Sequence, residues 1–67
     1  MMMIFINGVK THIKNDINLE KILKANFSDS YSFAVAVNNE FVPKSKYKNT
    51  IIVKGDIIEV VSAHPGG

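Results

Sequence analysis

The chain has 67 residues, no cysteine, and a formal net charge of +2 carried by lysines alone, with no arginine. A domain this small buries only about 60% of the surface its unfolded chain exposes, so one modest core takes most of its apolar residues and leaves little room for an enclosed active site. Without cysteine there is no disulfide framework, thiolate metal site or cysteine nucleophile; without arginine, the flat fork that most often reads phosphate and bases is missing.

The hydrophobic share of 46% against 21% charged is that of a chain that folds rather than stays disordered. The longest apolar runs, Met1 to Ile6 and Ala34 to Val37, are far short of the ~20 residues that cross a bilayer. Met1 to Ile6 also lacks the basic start and small-residue cleavage site of a secretory leader, so a cytoplasmic location is expected.

In chain order, Met2 to Ile6 is an apolar strand running into Asn7-Gly8, a hairpin signal because both residues tolerate positive φ. Val9 to Ile13 is the return strand, with Val9, Thr11 and Ile13 alternating against Lys10 and His12. After Lys14-Asn15-Asp16 the apolar spacing changes to Leu19, Ile22, Leu23 and Phe27, which predicts an amphipathic helix of about three turns. Asn18 is the expected N-cap, with Ile17 and Ile22 placed as a hydrophobic staple. The outward face carries Glu20, Lys21 and Lys24, and Asn26 to Ser30 supplies the stop.

Phe33 to Val37 reads as a strand, Asn38-Asn39 as a tight turn, and Glu40-Phe41-Val42 as a short strand ended by Pro43. Lys44 to Asn49 is expected to be polar and irregular, and Thr50 to Val53 to add a short extended piece before a Gly55-Asp56 turn. Ile57 to Ala63 is the last strand, with Ile58, Val60 and Ser62 on one face and Ile57, Glu59 and Val61 on the other. The order is ββαββ: an α+β fold in which a mixed sheet of four to five strands packs on one main helix, the β-grasp pattern. Residues 1–63 form that body, and residues 64–67 a flexible tail ending in Gly66-Gly67.

Several stretches together resemble the ThiS family of ubiquitin-like sulfur carriers in thiamin biosynthesis. They are Ile4-Phe5-Ile6-Asn7-Gly8, Val35-Ala36-Val37-Asn38 followed by Val42-Pro43-Lys44-Ser45, Gly55-Asp56-Ile57-Ile58-Glu59-Val60-Val61, and the terminal Gly66-Gly67. The resemblance spans nearly the whole chain. Two features depart from it: Tyr47 stands where a tryptophan is expected, and His64-Pro65 where small or aliphatic residues are usual. Tyr47 keeps an aromatic body with a polar tip, and Pro65 biases His64 towards extended backbone.

The resemblance implies a protein co-substrate rather than an enzyme, with Gly67 as the sulfur acceptor. A terminal carboxyl has a pKa near 3.5, so at neutral pH Gly67 carries a carboxylate that is a poor electrophile. In the family, an adenylating, E1-like partner uses ATP to make a mixed anhydride with AMP. A sulfur donor such as a cysteine desulfurase then supplies the sulfur of a thiocarboxylate, and thiazole synthase receives it. Two glycines suit a tail that enters a narrow partner site, where a Cβ would meet the walls. By composition alone a terminal Gly-Gly arises in about one chain in 200. No phosphate-binding glycine loop is present, so ATP is expected on the partner and no cofactor on this chain.

The same fold and tail occur in the small subunit of molybdopterin synthase, usually a longer chain, and in ubiquitin-like modifiers that end in isopeptide bonds; both remain alternatives. Strand alternation places Phe5, Ala36, Ile57, Glu59 and Val61 on the sheet face turned away from the helix, a candidate partner-docking surface. His12 and His64 are the only imidazoles and give no metal site. His12 is expected on the exposed face of its strand, His64 in solvent or in contact with a partner, and Lys44, Lys46 and Lys48 in a solvated loop. Asp56 and Glu59 lie too close to a turn and a strand edge for acid–base roles.

Overall fold

The computed structural model describes residues 1–27 and 32–63, with backbone alone at residues 32, 33, 62 and 63. The strands are β1 (Met2–Ile6), β2 (Val9–Ile13), β3 (Ser32–Val37), β4 (Glu40–Val42) and β5 (Ile57–Ala63), with one α-helix, α1 (Leu19–Asn26), and a 3-10 helix at Lys44–Asn49. They form one five-stranded sheet in the order β2-β1-β5-β3-β4. The two central strands, β1 and β5, are parallel, and every other neighbouring pair is antiparallel. This is the α+β, ubiquitin-like β-grasp arrangement that the alternation predicts.

Both hairpins turn through left-handed backbone, at Asn7 and Gly8 (φ 50° and 81°) and at Asn38 and Asn39 (φ 52° and 67°). Two consecutive positive φ values give a turn whose twist matches that of the flanking strands. Asn18 caps α1, its side-chain oxygen accepting from the Lys21 N–H at 2.9 Å, and Ile17 packs against the core cluster containing Ile22.

The helix is shorter than its apolar spacing predicts. Eight residues make about two turns, and Phe27 is the C-cap, in extended backbone at φ −137°. The Asn26 side chain donates to the Ile22 carbonyl at 2.8 Å, a local bond of the kind that favours leaving a helix. Phe27 still packs on the core, and so fits the stripe without being helical. Ser28 to Ser30, the rest of the expected stop, lie outside the described residues.

The segment Lys44–Asn49 is also more regular than expected. Pro43 precedes it at φ −69°, the Lys46 N–H donates to the Pro43 carbonyl at 2.9 Å, and Tyr47 is buried while Lys44, Lys46 and Lys48 stay exposed. Ile51 bridges Asn18, as the expected extended piece should, and Ile52 enters the core. The core joins Ile4 and Ile6 of β1, Leu19, Ile22 and Leu23 of α1, Val35 of β3, and Ile58 and Val60 of β5, closed by Tyr47 and Ile52. Among the described residues no helix is long and apolar enough to cross a membrane.

Candidate functional site

The strand that leads to the tail is held from both sides by asparagines of the two hairpin turns. On the β1 side, Asn7 still donates its backbone N–H to the Ile58 carbonyl at 2.8 Å before the chain turns away. Its side-chain amide then takes the place of the next peptide group: Oδ1 accepts from the Val60 N–H at 2.8 Å and Nδ2 donates to the Val60 carbonyl at 3.2 Å. On the β3 side, the Asn38 N–H donates to the Ile57 carbonyl at 2.7 Å, and Asn38 Oδ1 accepts from the Ile57 N–H at 2.9 Å.

Asp56 completes this frame. Its carboxylate is buried, accepting from Asn38 Nδ2 at 3.0 Å and from the Val53 N–H at 2.9 Å. The Asp56 carbonyl in turn accepts from the Phe5 N–H at 3.0 Å. A buried carboxylate with these partners ties the turn before β5 to the β3–β4 hairpin, so its work is structural.

The predicted docking residues lie together on the sheet face opposite the core. Phe5 and Ile57 are register partners, as are Ala36 and Glu59. Phe5 and Ala36 are half-buried, Ile57 and Val61 are 48% and 68% exposed, and Glu59 is exposed. Sequence reasoning missed Phe41, which pairs with Ala36 and is 66% exposed. The signal was there: with Val42 turned inward, its neighbour on β4 must point outward. Four large apolar side chains therefore flank one carboxylate, with Lys10 opposite Phe5 at the β2 edge. An exposed apolar cluster of this kind is a candidate interaction surface.

The tail residues His64, Pro65, Gly66 and Gly67 lie outside the described residues. The structure places their point of departure, Ala63, at the end of β5 paired with Ser32. His12 is exposed on β2, in register with Met3. Among the described residues no group of three or more His, Cys, Asp or Glu side chains could hold a metal ion. A shallow hollow beside Met1, Ile13, Ile17 and Ile51 lies at the start of β1, the opposite end of the sheet from Ala63.

Comparison with known proteins agrees with this architecture. The chain is 35% identical over 66 residues to a thiazole synthase of Paramagnetospirillum magneticum, a match that takes in 98% of the chain and 20% of that protein. It therefore spans about a fifth of the length of that curated relative. The fold is that of the crystal structure of a thiamine biosynthesis protein (ThiS) from Geobacter metallireducens, with a TM-score of 0.83, 22% identity, and coverage of 98% of this chain and all of the other. The ThiS family model matches residues 4–67, from the first core isoleucine of β1 through Gly66 and Gly67, and the chain belongs to the ThiS family.

Proposed function

We propose that this protein is a sulfur carrier of thiamin biosynthesis that works as a co-substrate, with the carboxylate of Gly67 as the group that is charged. The observation that carries the reading is the family match through residue 67, which includes both glycines of the tail. In this reading the Gly67 carboxylate attacks the α-phosphate of ATP on an adenylating partner, releasing pyrophosphate and forming an acyl adenylate. The persulfide of a donor such as a cysteine desulfurase displaces AMP to give an acyl disulfide, and a thiol reductant then cleaves the S–S bond to leave the thiocarboxylate. That product is nucleophilic at neutral pH and hands its sulfur to the forming thiazole on a thiazole synthase.

Two features of the chain support this division of labour. Among the described residues the buried apolar side chains form one core cluster, and a domain this small has little room beside it for an enclosed nucleotide site. The relative named a thiazole synthase carries a segment like this chain within a much longer protein, which favours thiazole synthase as the receiving partner. The face bearing Phe5, Ala36, Phe41, Ile57, Glu59 and Val61 would guide docking, placing β5 and the tail against the partner.

Intact-mass measurement tests the reading directly. Incubated with its adenylating enzyme, ATP and a sulfide source, the protein should exchange one oxygen for sulfur at Gly67, and deletion of Gly66-Gly67 should abolish the change. An unaltered mass alongside an enzyme shown to be active on another carrier would overturn it.

A further inference from the structure

We infer that Asn7 is a positioning residue for the tail: its side-chain amide clips Val60 and so fixes where β5 stops being an interior strand. The inference rests on the carrier reading above, because it concerns how Gly67 is presented to an adenylating partner.

The geometry carries it. β1 ends at Ile6 and pairs with β5 only at Phe5 with Ile57 and Ile6 with Ile58. A longer β1 would go on to bond Val60 through backbone, but the chain leaves for β2 at Asn7, at φ 50°. The planar amide of Asn7 supplies one donor and one acceptor in the place of that absent peptide, and both bonds go to Val60. Among the described residues this is the last tie between β5 and the β1 side.

Beyond Val60 the sheet changes character. Val61 to Ala63 are paired with β3 alone, at Ala34, Phe33 and Ser32. Two strands without a third are marginal on their own. Without the clip, the last β1-side hold retreats from Val60 to Ile58, and the one-sided ribbon before the tail lengthens by two residues. At about 3.3–3.6 Å per extended residue this displaces the pivot by roughly 7 Å. A carboxylate that must meet a nucleotide's α-phosphate in a partner's site is sensitive to such a shift.

Two substitutions separate this role from the turn's own needs. Asn7→Gly keeps the left-handed backbone, since Gly-Gly also forms this kind of turn, and removes both bonds to Val60. Asn7→Asp keeps the acceptor for the Val60 N–H but sets a second oxygen against the Val60 carbonyl. In the full-length protein, amide hydrogen exchange at Val61 and Ala63, whose N–H groups face β3, should accelerate about tenfold or more in both variants, and at Val60 in Asn7→Gly, which removes its acceptor.

The KM for adenylation should rise about tenfold, with kcat within twofold, because an already seated tail is chemically unchanged. Ile13→Val, a core-edge change on β2 that costs stability without touching β5, serves as the control and should leave KM where it is. Unchanged exchange at Val61 and Ala63 in Asn7→Gly, or a KM for Asn7→Gly equal to that of Ile13→Val, overturns the inference. If the wild-type protein is itself not adenylated, the carrier reading fails instead, and the positioning role falls with it.

Discussion

Asn38 and Asp56 meet across 18 residues of sequence: Asn38 Nδ2 donates to a carboxylate oxygen of Asp56 at 3.0 Å, while Asn38 Oδ1 accepts from the amide of the very next residue, Ile57. One side chain thus joins the β3–β4 turn to the buried carboxylate and to the first residue of the strand leading to the tail.

The neighbouring residue gives a matched comparison. Asn38 and Asn39 both have left-handed backbone, φ 52° and 67°, and both are exposed. Glycine relieves that conformation at either position. Asn39→Gly should therefore leave stability within about 0.5 kcal/mol. Asn38→Gly loses its bonds to Asp56 and Ile57 and leaves a buried carboxylate short of a donor, so it should lose about 1–3 kcal/mol. Urea denaturation of the two variants reads the difference as a shift in midpoint for Asn38→Gly alone.

The two asparagine roles show where the sequence stops being readable. Asn7-Gly8 and Asn38-Asn39 announce tight turns because the tolerance for positive φ is a property of the residues themselves. Their side-chain bonds to Val60 and Ile57 span 53 and 19 residues and exist only once β5 lies between β1 and β3. Strand alternation was enough to place Ile4, Ile6, Val35, Ile58 and Val60 inside and Phe5, Ile57 and Val61 outside, since period 2 assigns faces without tertiary knowledge.

Tyr47 went the other way: surrounded by Lys44, Ser45, Lys46, Lys48 and Asn49, it belongs to no apolar period, and only the i to i+3 bonding after Pro43 turns it inward. Phe27 shows the limit of a helical stripe, because a residue just past the helix end can meet the same core.

Adjacent isoleucines on β5 should respond in opposite ways to truncation. Ile58 is fully buried between β1 and β3, whereas Ile57 is 48% exposed on the open face. Ile58→Ala removes a packed side chain and leaves a void, a loss of about 2–5 kcal/mol. That is a large part of the total stability of any small domain, so much of the population should be unfolded by circular dichroism at room temperature. Ile57→Ala should remain folded, with a change of about 1 kcal/mol or less that reflects β propensity and its contact with Phe5.

Alkaline pH should weaken the fold through Tyr47. Desolvation by burial raises its phenol above the ordinary value of 10.0. The unfolded chain therefore releases this proton first as pH rises. The contribution is fully present below about pH 10, declines above it, and is lost as pH passes through the raised folded value. Tyr47→Phe removes the ionisable group while keeping the ring, so its denaturation midpoint should fall less steeply between pH 9.5 and 11 than that of the wild type. Equal slopes for the two proteins would show that Tyr47 does not titrate with folding.

The open face gives the most direct separation of folding from function. Phe41 and Val61 are 66% and 68% exposed, on opposite flanks of β3, and neither belongs to the core cluster. Phe41→Ser and Val61→Ser should each shift stability by only about 0.5 kcal/mol. If the face is where a partner sits, each removes apolar area from the contact at ~25 cal/mol per Å² and weakens binding by about 1–2 kcal/mol, a rise of roughly five- to thirtyfold in Kd. Titration calorimetry against an adenylating enzyme and against a thiazole synthase, the two partners proposed above, measures the two contacts separately. Wild-type affinity in both variants would move docking off this face, leaving the tail as the main element each partner grips.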